Sequence, residues 1–280
     1  MVLESLQENW NPKKRNYALF LLIITIIGII GIVVAFFYFS DLIIHTLLTV
    51  EGSLMVLIII LIRVSIMSIL TFFIFFNWLK SEEVYLNDIP CLIGFMFLTI
   101  SFGKALDILQ NLTFMVIPDE QAVIFLKIRY IPIIFVAIPL LYLGINMILY
   151  NLSLKGKEKY KDEKNIKNTR NWILAGIIIA ELILLMIANS IILIGMLLPL
   201  FIIPSLIIAT WLFHFAWKND RLSSVNPFIL MIGFGLYLFS NILRPVLQRL
   251  LGENVLYIMI AETFDVIVFI IIFMGLISKK

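Results

Sequence analysis

Eight apolar stretches run almost end to end through this chain, near residues 17–38, 54–77, 90–112, 127–150, 171–190, 193–217, 226–247 and 255–277. A helix needs roughly 20 residues to cross a hydrocarbon core of about 30 Å. Strands are excluded, because most of the stretches are too long and an open sheet cannot leave its edge groups in lipid. Apolar residues make up 62% of the chain and charged residues 14%, against about 25% charged in soluble domains. Too little polar side chain remains to cover a water-facing fold. The expected fold class is all-α: one polytopic membrane helix bundle over 1–280, a multi-pass protein of the cell membrane with the lipid bilayer as its first partner. The mixed stretch 40–53, SDLIIHTLLTVEGS, is expected at the interface.

Basic residues give the spans a direction. With the N-terminus inside, the inner segments hold Lys13, Lys14 and Arg15, then Lys80, seven Lys or Arg from Lys155 to Arg170, Lys218, Arg221, Lys279 and Lys280, which is 15 of the 21 basic residues. Arg63, Lys104, Lys127, Arg129, Arg244 and Arg249 fall in outer loops or the outer halves of spans. This bias predicts both termini in the cytoplasm. Lys13–Arg15 before an apolar run resembles a signal peptide. The run exceeds the usual core of roughly 7–15 residues and no small-residue cleavage site follows, so a retained first span is expected.

The motif inventory excludes several chemistries. One cysteine, Cys91, allows no internal disulfide and no cysteine metal cluster. No HExxH, CxxC, Walker-type GK[ST] or GxSxG string occurs, so no cofactor or resident metal is expected. The pI of 8.9 reflects basic loops facing anionic lipid rather than a nucleic-acid partner. The segment 152–170, LSLKGKEKYKDEKNIKNTR, is expected to be a topology-setting cytoplasmic loop. Its sharper reading is a docking patch for a cytoplasmic partner. It divides the chain into possible halves, 1–151 and 171–280, with four spans each. At an offset of 137, Pro90 aligns with Pro227, Phe102 with Phe239, Lys104 with Asn241 and Asp107 with Arg244. A parallel repeat of this kind is a transporter design.

Ionisable groups inside spans are the most informative residues, since each costs about 2.5–3.5 kcal/mol or more at the centre of a span. They are Arg63, Lys104, Asp107, Arg129, Glu181, Arg244, Glu262 and Asp265. Seven share the outer half of the bilayer, with Glu262 and Asp265 roughly 10–16 Å below the outer face at 1.5 Å per residue. Glu181 is expected near the midplane. Lys104/Asp107, Asn241/Arg244 and Glu262/Asp265 are i, i+3 pairs that each point one way from a helix. Two readings compete: a buried salt-bridge network that fixes packing, or a polar pocket open to the outside. With four bases against three acids, the pocket would take a small anionic or zwitterionic ligand through Arg63, Lys104, Asp107, Arg129, Asn241, Arg244, Glu262 and Asp265. Pro132, Pro139, Pro199, Pro204 and Pro245 are expected to bend their spans. Trp211, His214 and Trp217 are expected in an interfacial aromatic belt.

Three segments, KIRYIPIIFVAIPLLYLGI (127–145), MLLPLFIIPSL (196–206) and SVNPFILMIGFGL (224–236), occur in that order. Together they resemble the N-terminal seven-transmembrane sensor region of prokaryotic histidine kinases, in the proline landmarks of successive helices. If the first span is an addition, the remaining seven run from outside to inside as that family requires. The sequence reaches Lys280 without a kinase domain, so the resemblance implies a sensing module acting through a separate partner. A retinal protein is disfavoured, because the last span has no interior lysine. The expected function is therefore receptor-like or sensory. The alternatives are a secondary transporter of a small ion or solute and a non-catalytic subunit of a membrane complex. A membrane enzyme holding a hard cation on Glu262 and Asp265 ranks last.

Overall fold

The structure is a computed structural model and describes residues 12–113, 119–251 and 255–278. Lys279 and Lys280, which enter the charge bias, lie outside the described residues. The described residues form nine α-helices: α1 Pro12–Tyr38, α2 Ser40–Thr49, α3 Ser53–Lys80, α4 Ile89–Thr113, α5 Asp119–Leu154, α6 Glu163–Ile187, α7 Ile191–Lys218, α8 Pro227–Leu251 and α9 Val255–Ile277. All but α2 are long and apolar enough to cross a membrane, so the chain is an all-α polytopic bundle of eight spans.

Several helix ends differ from the sequence reading, α1 starting at Pro12 rather than near 17 and α5 at Asp119 rather than near 127. The segment 152–170 is largely ordered as helix: α5 continues to Leu154, a 3₁₀ turn covers Glu158–Tyr160, and α6 starts at Glu163 rather than near 171. The Asp162 side chain caps that start by accepting from the Lys164 amide at 3.0 Å, with acidic Glu163 in the first turn. Charged residues conceal these turns from a hydropathy reading. The stretch 40–53, expected at the interface, contains the short helix α2, and Gly52 at φ +81° caps the start of α3. A Cβ there would strain the left-handed backbone and meet the Val255 side chain at 2.6 Å.

Six of the spans close a ring in the order α3, α4, α5, α7, α8, α9 and back to α3. Its interior is one apolar core to which all six contribute, among them Met67, Phe97, Leu140, Phe213, Phe234 and Phe269. Lipid tails are as apolar as leucine, so close packing rather than water exclusion holds such helices together. Gly233 and Gly275 serve that purpose between α8 and α9. A Cβ on Gly233 would approach the Ile272 backbone to 3.2 Å, and one on Gly275 the Leu230 nitrogen to 3.0 Å. Pro132, Pro139, Pro199, Pro204 and Pro245 all lie within unbroken helices.

The other two spans sit outside the ring, α1 against α4 and α6 mainly against α5. Polar ties hold both at one end. For α1, Lys14 Nζ donates to the Ser81 carbonyl at 2.5 Å, and Tyr17 stacks on Trp78. Trp78 Nε1 in turn donates to Asp88 at 2.9 Å. For α6, Arg170 donates to Asn146 Oδ1 at 3.1 Å and lies 4.1 Å from the Tyr142 ring centroid.

Candidate functional site

At one end of the ring the apolar core gives way to charge. Arg63 of α3, Lys104 and Asp107 of α4, Arg129 of α5, Arg244 of α8 and Glu262 and Asp265 of α9 join in one continuous chain of ion pairs. Arg129 Nε pairs with Asp107 Oδ1. Lys104 Nζ bridges Asp107 at 2.8 Å and Glu262 at 3.0 Å. Arg63 spans both acids of α9, Glu262 through Nη1 and Asp265 through Nη2 at 2.8 Å. Arg244 Nη2 closes the chain on Asp265 at 2.5 Å and Glu262 at 3.5 Å.

Local spacing produces this convergence. Glu262 and Asp265 lie one helical turn apart, so both point at the guanidinium that α3 presents. Lys104 and Asp107 repeat the spacing on α4. Below Arg63 the floor is aromatic: its guanidinium carbon is 5.5 Å from the Phe269 ring centroid, and Phe97 and Tyr237 meet that ring edge-on at 5.3 and 5.0 Å.

Depth grades the network. Side-chain exposure is 2% for Arg63, 3% for Asp265 and 8% for Glu262, against 24% for Arg129 and 26% for Arg244. The core of the network is therefore dry, and its edge is open. A cleft of about 100 Å³ adjoins it, bounded by Arg63, Lys104, Asp107, Arg129, Tyr237, Asn241, Arg244 and Asp265. One water needs roughly 10–15 Å³ of such space, so the cleft has room for several waters or one small oxyanion. Arg63 Nε is buried without a hydrogen-bond partner, a desolvated donor within the network.

All seven charges expected in the outer half meet, then, in one ion-pair network. Six of them, all but Glu262, also bound the cleft. Asn241 borders the cleft but joins no ion pair, since its Nδ2 donates to the Tyr237 carbonyl at 2.8 Å. Glu181 lies on α6, outside the ring, buried and with no hydrogen bond or ion pair among the described residues. Ser240 is an addition, donating to Asp265 at 2.5 Å. A lone serine in an apolar span carries no signal by itself, although its position beside Asn241 was a pointer. Tyr237 and Phe269 are likewise unmarked among many aromatic residues.

The acids of α9 are fully engaged by Arg63, Lys104 and Arg244, and among the described residues no group of three His, Cys, Asp or Glu is placed to hold a metal ion. His214 packs by Trp217 and approaches the Met231 sulfur at 3.4 Å, away from the network. Fold and site define a polytopic membrane bundle with a charged cleft at one end of a six-helix ring. No family model matches the chain, and no curated protein or solved structure is similar enough to extend that description.

Proposed function

We propose that this chain is a receptor-like membrane module that takes a small anionic or zwitterionic ligand into the charged cleft and signals through a separate partner. The carrying observation is the unbalanced charge beside the cleft: four bases face three acids, and a buried Arg63 donor is unpartnered. A ligand carboxylate or phosphate would compete for Arg129, Lys104 and Arg244 and loosen their hold on Asp107, Glu262 and Asp265. Those acids bridge separate helices, so re-pairing favours another helix arrangement. The shift is limited by the ligand's differential affinity for the two arrangements. The charge bias assigns this end of the ring to the outside of the cell, and the segment 152–170 to the inside where a partner would read the change. The resemblance of 127–145, 196–206 and 224–236 to histidine-kinase sensor regions points to the same reading.

Thermal denaturation across a panel of phosphate, carboxylates and amino acids tests this. At least one anion should raise the midpoint, and Lys104→Gln with Arg129→Gln should abolish the rise. If no anion raises the midpoint of the wild-type chain, the reading is wrong.

A secondary transporter is the second reading. Advancing each span by four carries the ring order onto itself, with α3 replaced by α7, α4 by α8 and α5 by α9. The pair Asp107–Arg129 across α4 and α5 then corresponds to Arg244–Asp265 across α8 and α9 with its signs reversed. Solute flux in proteoliposomes separates this reading from the first.

A further inference from the structure

Helices α4 and α5 cross closely where Gly103 faces Pro132, with the position of a Gly103 Cβ 3.6 Å from the Pro132 Cβ. The charged cleft adjoins this crossing, with Gly103 and Pro132 among its bounding residues. A second cavity, of about 510 Å³, opens between α1, α4 and α5. Thr99 and Pro132 belong to the wall of both. Thr99 donates its hydroxyl proton to the Phe95 carbonyl at 2.8 Å, and Pro132 has no amide proton, so neither residue brings an unpaired donor to that wall.

The second cavity is an apolar groove. Ile24, Phe95, Phe102, Ile131 and Phe135 bound it. Ile131 and Phe135 are exposed on the protein surface, which here is the lipid face. The groove continues along the ring wall from Phe102, near the charged residues of α4, to Leu92 and Tyr142 toward the apolar end. Its volume falls in the range of ligand pockets, roughly 300–1,000 Å³, whereas the charged cleft alone falls below it. A charged cleft bordering a lipid-facing apolar groove has the outline of an amphiphile.

We infer that the ligand is an anionic amphiphile drawn from the bilayer, with an oxyanion head among Arg129, Lys104 and Arg244 and one acyl chain in the groove between α1, α4 and α5. This rests on the proposed ligand-binding role of the cleft and adds the class of ligand and its lateral route. The base surplus selects the negative head. The chain gains little apolar contact by leaving other lipids, so the groove acts by orientation, holding the head at the depth of Lys104 and Arg129.

Equilibrium binding of radiolabelled hexadecyl phosphate, hexadecanol and inorganic phosphate to the full chain in phosphatidylcholine nanodiscs tests the inference, with each value corrected for empty discs. Ile131→Trp fills the groove from an exposed position. It should weaken hexadecyl phosphate binding about tenfold, equivalent to about 1.4 kcal/mol, and leave inorganic phosphate binding unchanged. Simple partitioning into the disc would not respond to that substitution. If Ile131→Trp leaves hexadecyl phosphate binding intact while inorganic phosphate still binds, the amphiphile is overturned and the anion cleft stands. If hexadecanol binds as tightly as hexadecyl phosphate, the groove is a general lipid contact and the inference also fails. If neither phosphate binds, the inference fails, and the proposed function is decided separately by the carboxylates and amino acids of the thermal panel.

Discussion

The same six helices meet in two unlike ways along the ring axis. In the apolar half, Phe97, Phe213, Phe234, Phe269 and Ile272 fill the interior with no measurable exposure, and glycines bring α8 and α9 to backbone contact. In the charged half, seven ionised side chains occupy the same interior. The apolar half is held by many small, short-range contacts that need close shape matching. The charged half is held by a few ion pairs in which every member but Arg129 has more than one partner. Under the proposed function a ligand acts on those shared pairs and leaves the apolar half packed.

The seam between α3 and α9 makes the contrast sharper. It joins the first ring helix to the last, and its packing is the thinnest around the ring. Arg63 bridges it by holding Glu262 and Asp265 together. Stripping both acids with Glu262→Gln and Asp265→Asn leaves Arg63 buried without counter-charge. Breaking a buried pair in this way costs about 3–5 kcal/mol. The expected outcome is the largest loss of thermal stability of any variant considered, with hydrogen exchange rising first in α3 and α9. An unchanged midpoint would show that packing, not charge, closes the seam.

The charged half can also be converted into a copy of the apolar half. Arg63→Met, Arg244→Leu, Glu262→Met and Asp265→Leu together remove matched charge. Replacing buried ion networks with apolar side chains is often neutral or stabilising by about 1–4 kcal/mol. The fourfold variant should therefore keep or raise the melting midpoint, yet lose any anion-dependent shift. If it unfolds, the network is required for packing, and its value as a binding site loses this support.

The eight spans were legible because each is a long apolar run, and the network was legible because charge in lipid is costly enough to be meaningful. Depth along the chain and i, i+3 spacing then sufficed to bring Arg63, Lys104, Asp107, Arg129, Arg244, Glu262 and Asp265 to one level. The order of helices around the ring was not legible. Lipid-facing and core-facing residues share one chemistry here, so α1, with Leu21 its one buried residue, reads much like the ring helix α7. The charged first turns of α6 were hidden for the opposite reason, as lysine-rich helix and lysine-rich loop have the same composition. Spacing put Asn241 on the face of Arg244, where it borders the cleft, but a side-chain amide can pair with its own helix, and this one does.

Glu181 offers a third environment and the smallest expected effect. It is a buried acid on a peripheral helix, outside both halves of the ring and without a partner among the described residues. Glu181→Gln keeps the shape of the side chain and breaks no pair within the chain. The melting midpoint should change by no more than the equivalent of about 0.5 kcal/mol, as for substitutions away from special features. A loss approaching that of the Glu262/Asp265 variant would mean that Glu181 pairs across an interface with another chain. If flux is found in proteoliposomes and Glu181→Gln abolishes it at unchanged stability, the acid lies on a transport route. In that outcome the transporter reading replaces the receptor, because a ligand-binding ring has no use for an acid on its outer side.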